Sequence, residues 1–208
     1  LKTSFMSITD RKERDKKEMR QAILDAALNL FREKGYDAVS IRNIAEAIEY
    51  SPATIYLYFK DKNDIFFALQ YEAAAVKRDH LLPVAMIENP WERLTEFGRR
   101  YIDFGMKHPG LYDLLFIIRA PMESVENQDC WALGMSVHQF FEDTVQACID
   151  ARYFKSTDTK TIAYTLWCHA HGLVSLFVRD RMRMYPPEER EELARKSFAM
   201  LIKMAETL

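Results

Sequence analysis

The sequence predicts an all-α fold, on three observations. Apolar residues recur at helical spacing almost throughout, as at Ile23, Ala26, Ala27, Leu30 and Phe31. Period-two alternation over strand length is hard to find. Prolines fall between the periodic blocks, at Pro52, Pro83, Pro90, Pro109, Pro121 and the pair Pro186 and Pro187, where each can start or stop a helix.

Composition sets the bounds on function. A hydrophobic content of 49% over 208 residues is enough for a substantial core and argues against global disorder. Lysine and arginine number 29 against 31 acidic residues, so the formal charge of −2 announces no nucleic-acid partner, and any such contact must come from local placement. None of the 6 glycines stands in a G-x-G or G-x-x-x-x-G-K arrangement, which removes the usual phosphate cradles. Cys130, Cys148 and Cys168 are too few and too widely spaced for a disulfide framework or a C-x-x-C zinc site, and are expected as core residues in a reducing cytoplasm. No secretory signal is evident, and no stretch of about 18 uncharged apolar residues is expected to span a membrane. His138 and Glu142, at i and i+4, are two groups and not a metal site; no metal or cofactor is expected. Nor does any nucleophile, base and orienting group stand at persuasive spacing for an enzyme.

In order along the chain, a first helix is expected from about Asp10 to Lys34, closed by Gly35. Two short helices follow, Ile41 to Ile48 and Pro52 to Phe59. In the first of these Ile41, Ile44, Ala45 and Ile48 make one buried face, and Ser40 is its N-cap. Ser51 caps the second, Pro52 takes its first position, and Ile55 and Phe59 point inward. A helix, a tight turn and a second capped helix make a helix-turn-helix. The next helix runs from Lys62 to about Leu82, with Asp61 as cap and Asp64 reaching back. Beyond Pro83 come longer helices at Trp91 to Lys107, Gly110 to Ile118, Gln128 to Tyr153, Asp158 to Met184 and Pro187 to Thr207.

A helix-turn-helix can place its second helix in the major groove of DNA. By side-chain chemistry, Arg42, Ala53 and Thr54 suit base edges, whereas Ser40, Ser51, Tyr56, Tyr58, Lys60 and Lys62 suit phosphates. Arg11, Lys12, Arg14, Lys16, Lys17 and Arg20 add a basic run diluted by acids.

From Ile23 to Leu69 the chain, reading ILDAALNLFREKGYDAVSIRNIA and then SPATIYLYFKDKNDIF, resembles the amino-terminal domain of the TetR family. The resemblance implies that Tyr56, Tyr58 and Lys62 meet the DNA backbone, while Arg42 and Pro52 to Thr54 face bases. One departure is the turn, Ile48-Glu49-Tyr50, where the family usually places a small residue with glycine. A glutamate in the left-handed region costs about 1 kcal/mol, so either the turn differs in shape or Tyr50 packs to compensate. Its charge would also weaken the hold on phosphates.

The implied division is a DNA-binding domain over residues 10–65 and an effector-binding and dimerisation domain over 66–208, joined by the helix from about 62 to 82. Two apolar stripes on Asp158 to Met184 suggest one face for its own core and one for a second subunit, with Gly172 permitting close approach. In the family the last two helices pair with their symmetry mates, which predicts a homodimer and a palindromic operator. HPGLYDLLF (108–116) and WCHAHGLVSL (167–176) resemble a subgroup with a tryptophan, histidine and glycine signature. Phe97, Tyr101, Phe104, Tyr112, Phe116, Met122, Trp131, Met135, His138, Phe140, Trp167 and His171 are the candidates to line a pocket for an apolar small-molecule effector, with His171 favoured for a buried hydrogen bond. The expected function is thus a ligand-responsive repressor. The alternative is a DNA-binding scaffold without an effector, which a tightly filled carboxy-terminal core would favour.

Overall fold

The computed structural model describes residues 8–119, 121, 125, 128–155 and 158–205. Met122 therefore lies outside the described residues. The helices are α1 Ile8–Lys34, α2 Ile41–Ala47, α3 Pro52–Tyr56, α4 Lys62–Leu81, α5 Pro90–Lys107, α6 Pro109–Phe116, α7 Asp129–Asp150, α8 Thr159–Val178 and α9 Pro187–Ala205, with a 3-10 turn at Leu82–Met86. No strand occurs among the described residues, so the fold is all-α.

The expected caps form. Asp61 accepts from the Asp64 amide at 2.9 Å, and the Asp64 carboxylate accepts from the Lys60 amide at 2.9 Å. Asn89 and Asp158 cap α5 and α8 in the same way, which satisfies first-turn amides that have no helical partner. The helix expected to reach Met184 stops instead at Val178, because Asp180 takes a φ of 50° and the Arg181 amide bonds back to the Leu176 carbonyl at 2.8 Å. A non-glycine residue in that left-handed position left no mark of a stop in the sequence.

Two cores divide the bundle. Ile23, Leu24, Phe31, Ile44, Ile55, Phe59, Ile65 and Phe66 close the first, made mainly by α1 to α3 and the first half of α4, with Leu114 of α6 and Cys130 of α7 joining it. The second gathers Leu81, Leu94, Tyr101, Phe104, Val145, Leu166, Val174 and Phe198 from the end of α4 and from α5 to α9. α4 belongs to both. In the second core α5 approaches its neighbours through glycine: a Cβ on Gly105 would lie 2.1 Å from Val174 Cγ1, and one on Gly98 2.2 Å from Phe198 Cζ. Buried Asp103 ties α5 to α9 by an ion pair with Arg195 at 2.8 Å and also meets Lys107 at 2.7 Å. Burial would raise its pKa, but those two hydrogen-bonded cations outweigh burial and hold the carboxyl at about 2.

The surface corrects two expectations. Thr159–Val178 is long and apolar enough to cross a membrane, with mean hydropathy 1.2, because α8 is apolar on more than its inward face. It packs on α5, α6, α7 and α9. Cys130 and Cys148 are buried, but Cys168 is exposed on that same helix and is not a core residue. Tyr164 and Leu176 on α8, with Met200 and Met204 on α9, also stand exposed. Among the described residues, nothing beyond its own stretch of helix lies within 4 Å of a Cβ built on Gly172, so that glycine serves no close contact with another described element of the subunit.

Candidate nucleic-acid interface and effector cavity

The geometry of the first site begins at Ser40 and Ser51. Ser40 accepts from the Asn43 amide at 3.2 Å, and the Asn43 side chain accepts from the Ser40 amide at 3.0 Å, a reciprocal box that fixes the start of α2. Ser51 accepts from the Thr54 amide at 3.3 Å, with Pro52 beginning α3. The α3 helix is shorter than expected, closing at Tyr56, yet the Phe59 amide still reaches the Ile55 carbonyl at 3.0 Å and Phe59 stays buried. With Ile55 at 0% exposure as anchor, Ser51, Pro52, Ala53, Tyr56 and Leu57 face outward, Leu57 at 78% and Tyr56 at 58%.

Between the two helices Glu49 has a φ of 60°, the left-handed conformation that glycine would take without strain. The Tyr50 amide bonds to the Ala45 carbonyl at 2.9 Å and the Glu49 amide to the Glu46 carbonyl at 3.2 Å, the paired bonds that close a helix on a left-handed residue. The turn thus keeps the shape that glycine favours. Tyr50 is 50% exposed and offers little packing in return, so the strain of about 1 kcal/mol stands.

The other DNA candidates fall into two groups. Ser40, Arg42 and Lys60 are exposed, and Thr54 and Tyr58 are half-buried beside them. Lys62 is instead tied down: its Nζ donates to the Tyr36 carbonyl at 2.8 Å and sits 4.1 Å from the centre of the Tyr36 ring. Arg20 likewise pairs with Glu72 at 3.0 Å and lies 5.1 Å from the Phe59 ring, fastening α1 to α4. Lys12, Lys16 and Lys17 remain exposed along α1.

The second site is a cavity of about 520 Å³ among α4 to α9. Phe97, Tyr101, Phe116, Trp131, Met135, His138 and Trp167 line it. Phe104, Tyr112, Phe140 and His171 do not: Phe104 is wholly buried in the core, Phe140 is half-buried against it, and Tyr112 and His171 stand behind the wall, stacked on each other with centroids 5.7 Å apart. Aromatic spacing identifies buried residues without telling a filled core from a lined cavity. His138 lies 3.4 Å from Glu142, and no group of three metal-binding side chains occurs among the described residues.

Behind the wall runs a polar chain. Trp167 Nε1 donates to Tyr101 Oη at 3.1 Å, the Tyr101 and Tyr112 hydroxyls meet at 3.0 Å, Tyr112 meets His171 Nδ1 at 2.7 Å, and His171 Nε2 meets Ser175 at 3.2 Å. With His171 neutral and protonated on Nε2, each hydrogen from Trp167 to His171 has an acceptor, the last being the Ser175 hydroxyl. Burial favours that neutral form by lowering the His171 pKa, and it pushes the Tyr101 phenol up to about 12.

Sequence reasoning missed the contribution of α4 to the cavity. Gln70, Ala74, Lys77 and Leu81, at i, i+4, i+7 and i+11, form one wall. A glutamine and a lysine on the same helix stripe as Ala74 and Leu81 were the available signal.

Comparisons with known proteins agree with this architecture. Residues 23–69 match the model of bacterial regulatory proteins of the tetR family, and residues 94–201 match the tetracyclin repressor-like carboxy-terminal domain. An HTH-type transcriptional repressor of Mycobacterium tuberculosis is 40% identical over 70 residues, 31% of this chain and 37% of that protein. The likeness to that curated relative thus spans little more than a third of its length. The fold is shared with the TetR family regulator PfmR from Thermus thermophilus, at TM-score 0.69 and 19% identity over 87% of this chain and 97% of that one. It is also shared with AibR, solved with isovaleryl coenzyme A and operator DNA, at TM-score 0.67 and 19% identity over 87% and 96% of the two chains. With both of its halves matched in this way, the chain belongs to the TetR family of bacterial regulatory proteins.

Proposed function

We propose that the protein is a homodimeric, ligand-responsive transcriptional repressor acting in the cytoplasm. Residues 10–65 bind a palindromic operator, and residues 66–208 bind a largely apolar effector and dimerise. The observation that carries this reading is the outward face of α3, capped at Ser51 and anchored by Ile55, which leaves Ala53, Tyr56 and Leu57 open to solvent. A short helix held so can enter a major groove about 12 Å wide. Arg42, Pro52, Ala53 and Thr54 are then the base-reading candidates, and Ser40, Ser51, Tyr56, Tyr58 and Lys60 the phosphate contacts, with Lys62 joining if it exchanges the Tyr36 carbonyl for a phosphate.

The dimer is supported by the exposed apolar residues Tyr164, Leu176, Met200 and Met204 on α8 and α9, a surface that a second copy would cover. The cavity favours an effector over the scaffold reading, since about 520 Å³ is within the common range of small-molecule sites, roughly 300–1,000 Å³. Coupling follows from α4, which places Phe66 in the core of the DNA head and Lys77 in the cavity wall. A ligand that prefers the α4 position of the DNA-free state lowers operator affinity, and one with equal affinity for both states changes nothing.

The test is binding to duplex from upstream of the protein's own gene, set against a scrambled duplex at the same salt. The expected preference is at least about 1,000-fold. Equal affinity for the two duplexes refutes the regulator.

A further inference from the structure

We propose that the cavity takes an apolar monocarboxylate, held at one end by the ammonium of Lys77. This inference rests on the cavity being the effector site, and it adds the chemical class of the effector.

Lys77 lies on α4 and is buried, only 8% exposed, with its Nζ 5.1 Å from the centre of the Phe116 ring. Both residues line the cavity. No ion pair or hydrogen bond joins Lys77 to a carboxylate of the described residues, although Arg20, Arg100, Arg179 and Arg195 all have acidic partners. Burial lowers its pKa to about 8, and no neighbouring charge opposes that shift. A buried charge is ordinarily paired, and an aromatic face is only a partial substitute for an anion.

The other polar groups near the cavity already have partners. Tyr101, Tyr112, Trp167 and His171 bond to one another, Gln70 donates to the Leu114 carbonyl at 2.7 Å, and His138 stands beside Glu142. Lys77 is therefore the cation of the lining that has no acceptor among the described residues. Its position also sets the charge of that guest. Among the described lining residues it is the one lysine or arginine, so a monoanion is balanced, whereas a phosphate dianion would keep a surplus charge in an apolar enclosure. The remaining wall, from Leu94, Phe97, Val137, Phe141 and Leu166, suits a hydrocarbon or aromatic body.

The experiment uses the full chain with Nile red as a neutral reporter of the cavity. Two matched pairs compete with it: decanoate against methyl decanoate, and 2-naphthoate against methyl 2-naphthoate. In at least one pair the carboxylate is expected to bind about 10-fold or more tightly than its ester, the ratio that one good charge-assisted contact supplies. In Lys77→Met the order within that pair reverses, and in Lys77→Arg the carboxylate preference returns. Esters that equal or exceed both acids on the wild-type protein overturn the proposal, with no variant needed. A preference that survives Lys77→Met overturns it as well, as does the binding of no member of either pair. The two levels separate cleanly. Ester-driven release of operator with no acid preference removes Lys77 as the recognition group and leaves the regulator standing. Carboxylate binding at Lys77 with no specific operator does the reverse.

Discussion

The proposed DNA-binding head and the proposed ligand-binding body are built from the same helical material, but they treat their interiors in opposite ways. In the head, Phe31, Tyr36 and Phe66 form a closed aromatic triangle with centroids 5.0 to 5.8 Å apart, and Ile23, Leu24, Ile44 and Ile55 fill the space around it. In the body a comparable supply of aromatic residues surrounds about 520 Å³ of open volume and one buried lysine. The contrast fits the two roles proposed for them. A surface that reads a rigid duplex needs side chains fixed by a full core, and a sensor must leave room for the molecule it detects.

Stability measurements can break or sharpen this contrast. The largest effect is expected for Phe66→Ala, which empties the centre of the head and costs about 3–5 kcal/mol in chemical denaturation. Trp131→Ala in the cavity wall, where the ring is already 37% exposed, is expected to cost far less. Equal losses would mean that the two interiors are packed alike.

Lys77→Met is expected to act in the other direction. Burial brings the folded-state pKa to about 8 from an ordinary 10.5, so the unfolded chain binds more protons between those values and stability rises with pH across that window. Below pH 8 the full penalty is present. Replacing the cation by methionine should therefore stabilise the ligand-free protein by up to about 3 kcal/mol at pH 7, with the gain shrinking from pH 8 to 10.5. A gain independent of pH across that window would mean that desolvation of the amine is not its source.

Gly105→Ala comes next. The added methyl meets Val174, and the expected loss is about 1–3 kcal/mol despite the better helix propensity of alanine. Gly134→Ala, with no described residue beyond its own stretch of helix within 4 Å of its Cβ position, is expected to gain up to about 1 kcal/mol. A matching gain at Gly105 would show that α5 and α8 can separate at little cost.

The smallest change concerns the turn in the head. Glu49→Gly should stabilise by about 1 kcal/mol by relieving the positive φ, and by removing an acid beside the proposed phosphate path it should also tighten DNA binding. Thermal unfolding and fluorescence anisotropy at one salt concentration report the two effects separately.

The parts of the molecule that could be read from its sequence were those fixed by neighbours along the chain. Ser40, Ser51 and Asp61 announce their helices because a cap and the amide it satisfies stand three residues apart. The left-handed Glu49 was legible as a departure from glycine, but its φ was decided by the bonds from Glu49 and Tyr50 to the preceding helix. Asp180 ends α8 in the same manner without such a cue. The cavity was only half legible, because its lining depends on how α4 lies against α5 and α7. Hence Tyr112 and His171 fall behind the wall, and Gln70 and Lys77 come into it. Lys62 shows the same limit, since its carbonyl partner Tyr36 is far away in sequence.

The central claim, that the outer side of α3 meets a duplex, is tested most directly by hydroxyl-radical footprinting of the protein with and without its upstream DNA. Tyr56 and Leu57 should lose reactivity on binding, while Met86 and Met184, 87% and 73% exposed and outside residues 10–65, should keep theirs. Unchanged reactivity at Tyr56 and Leu57 in a complex that has demonstrably formed would contradict the account.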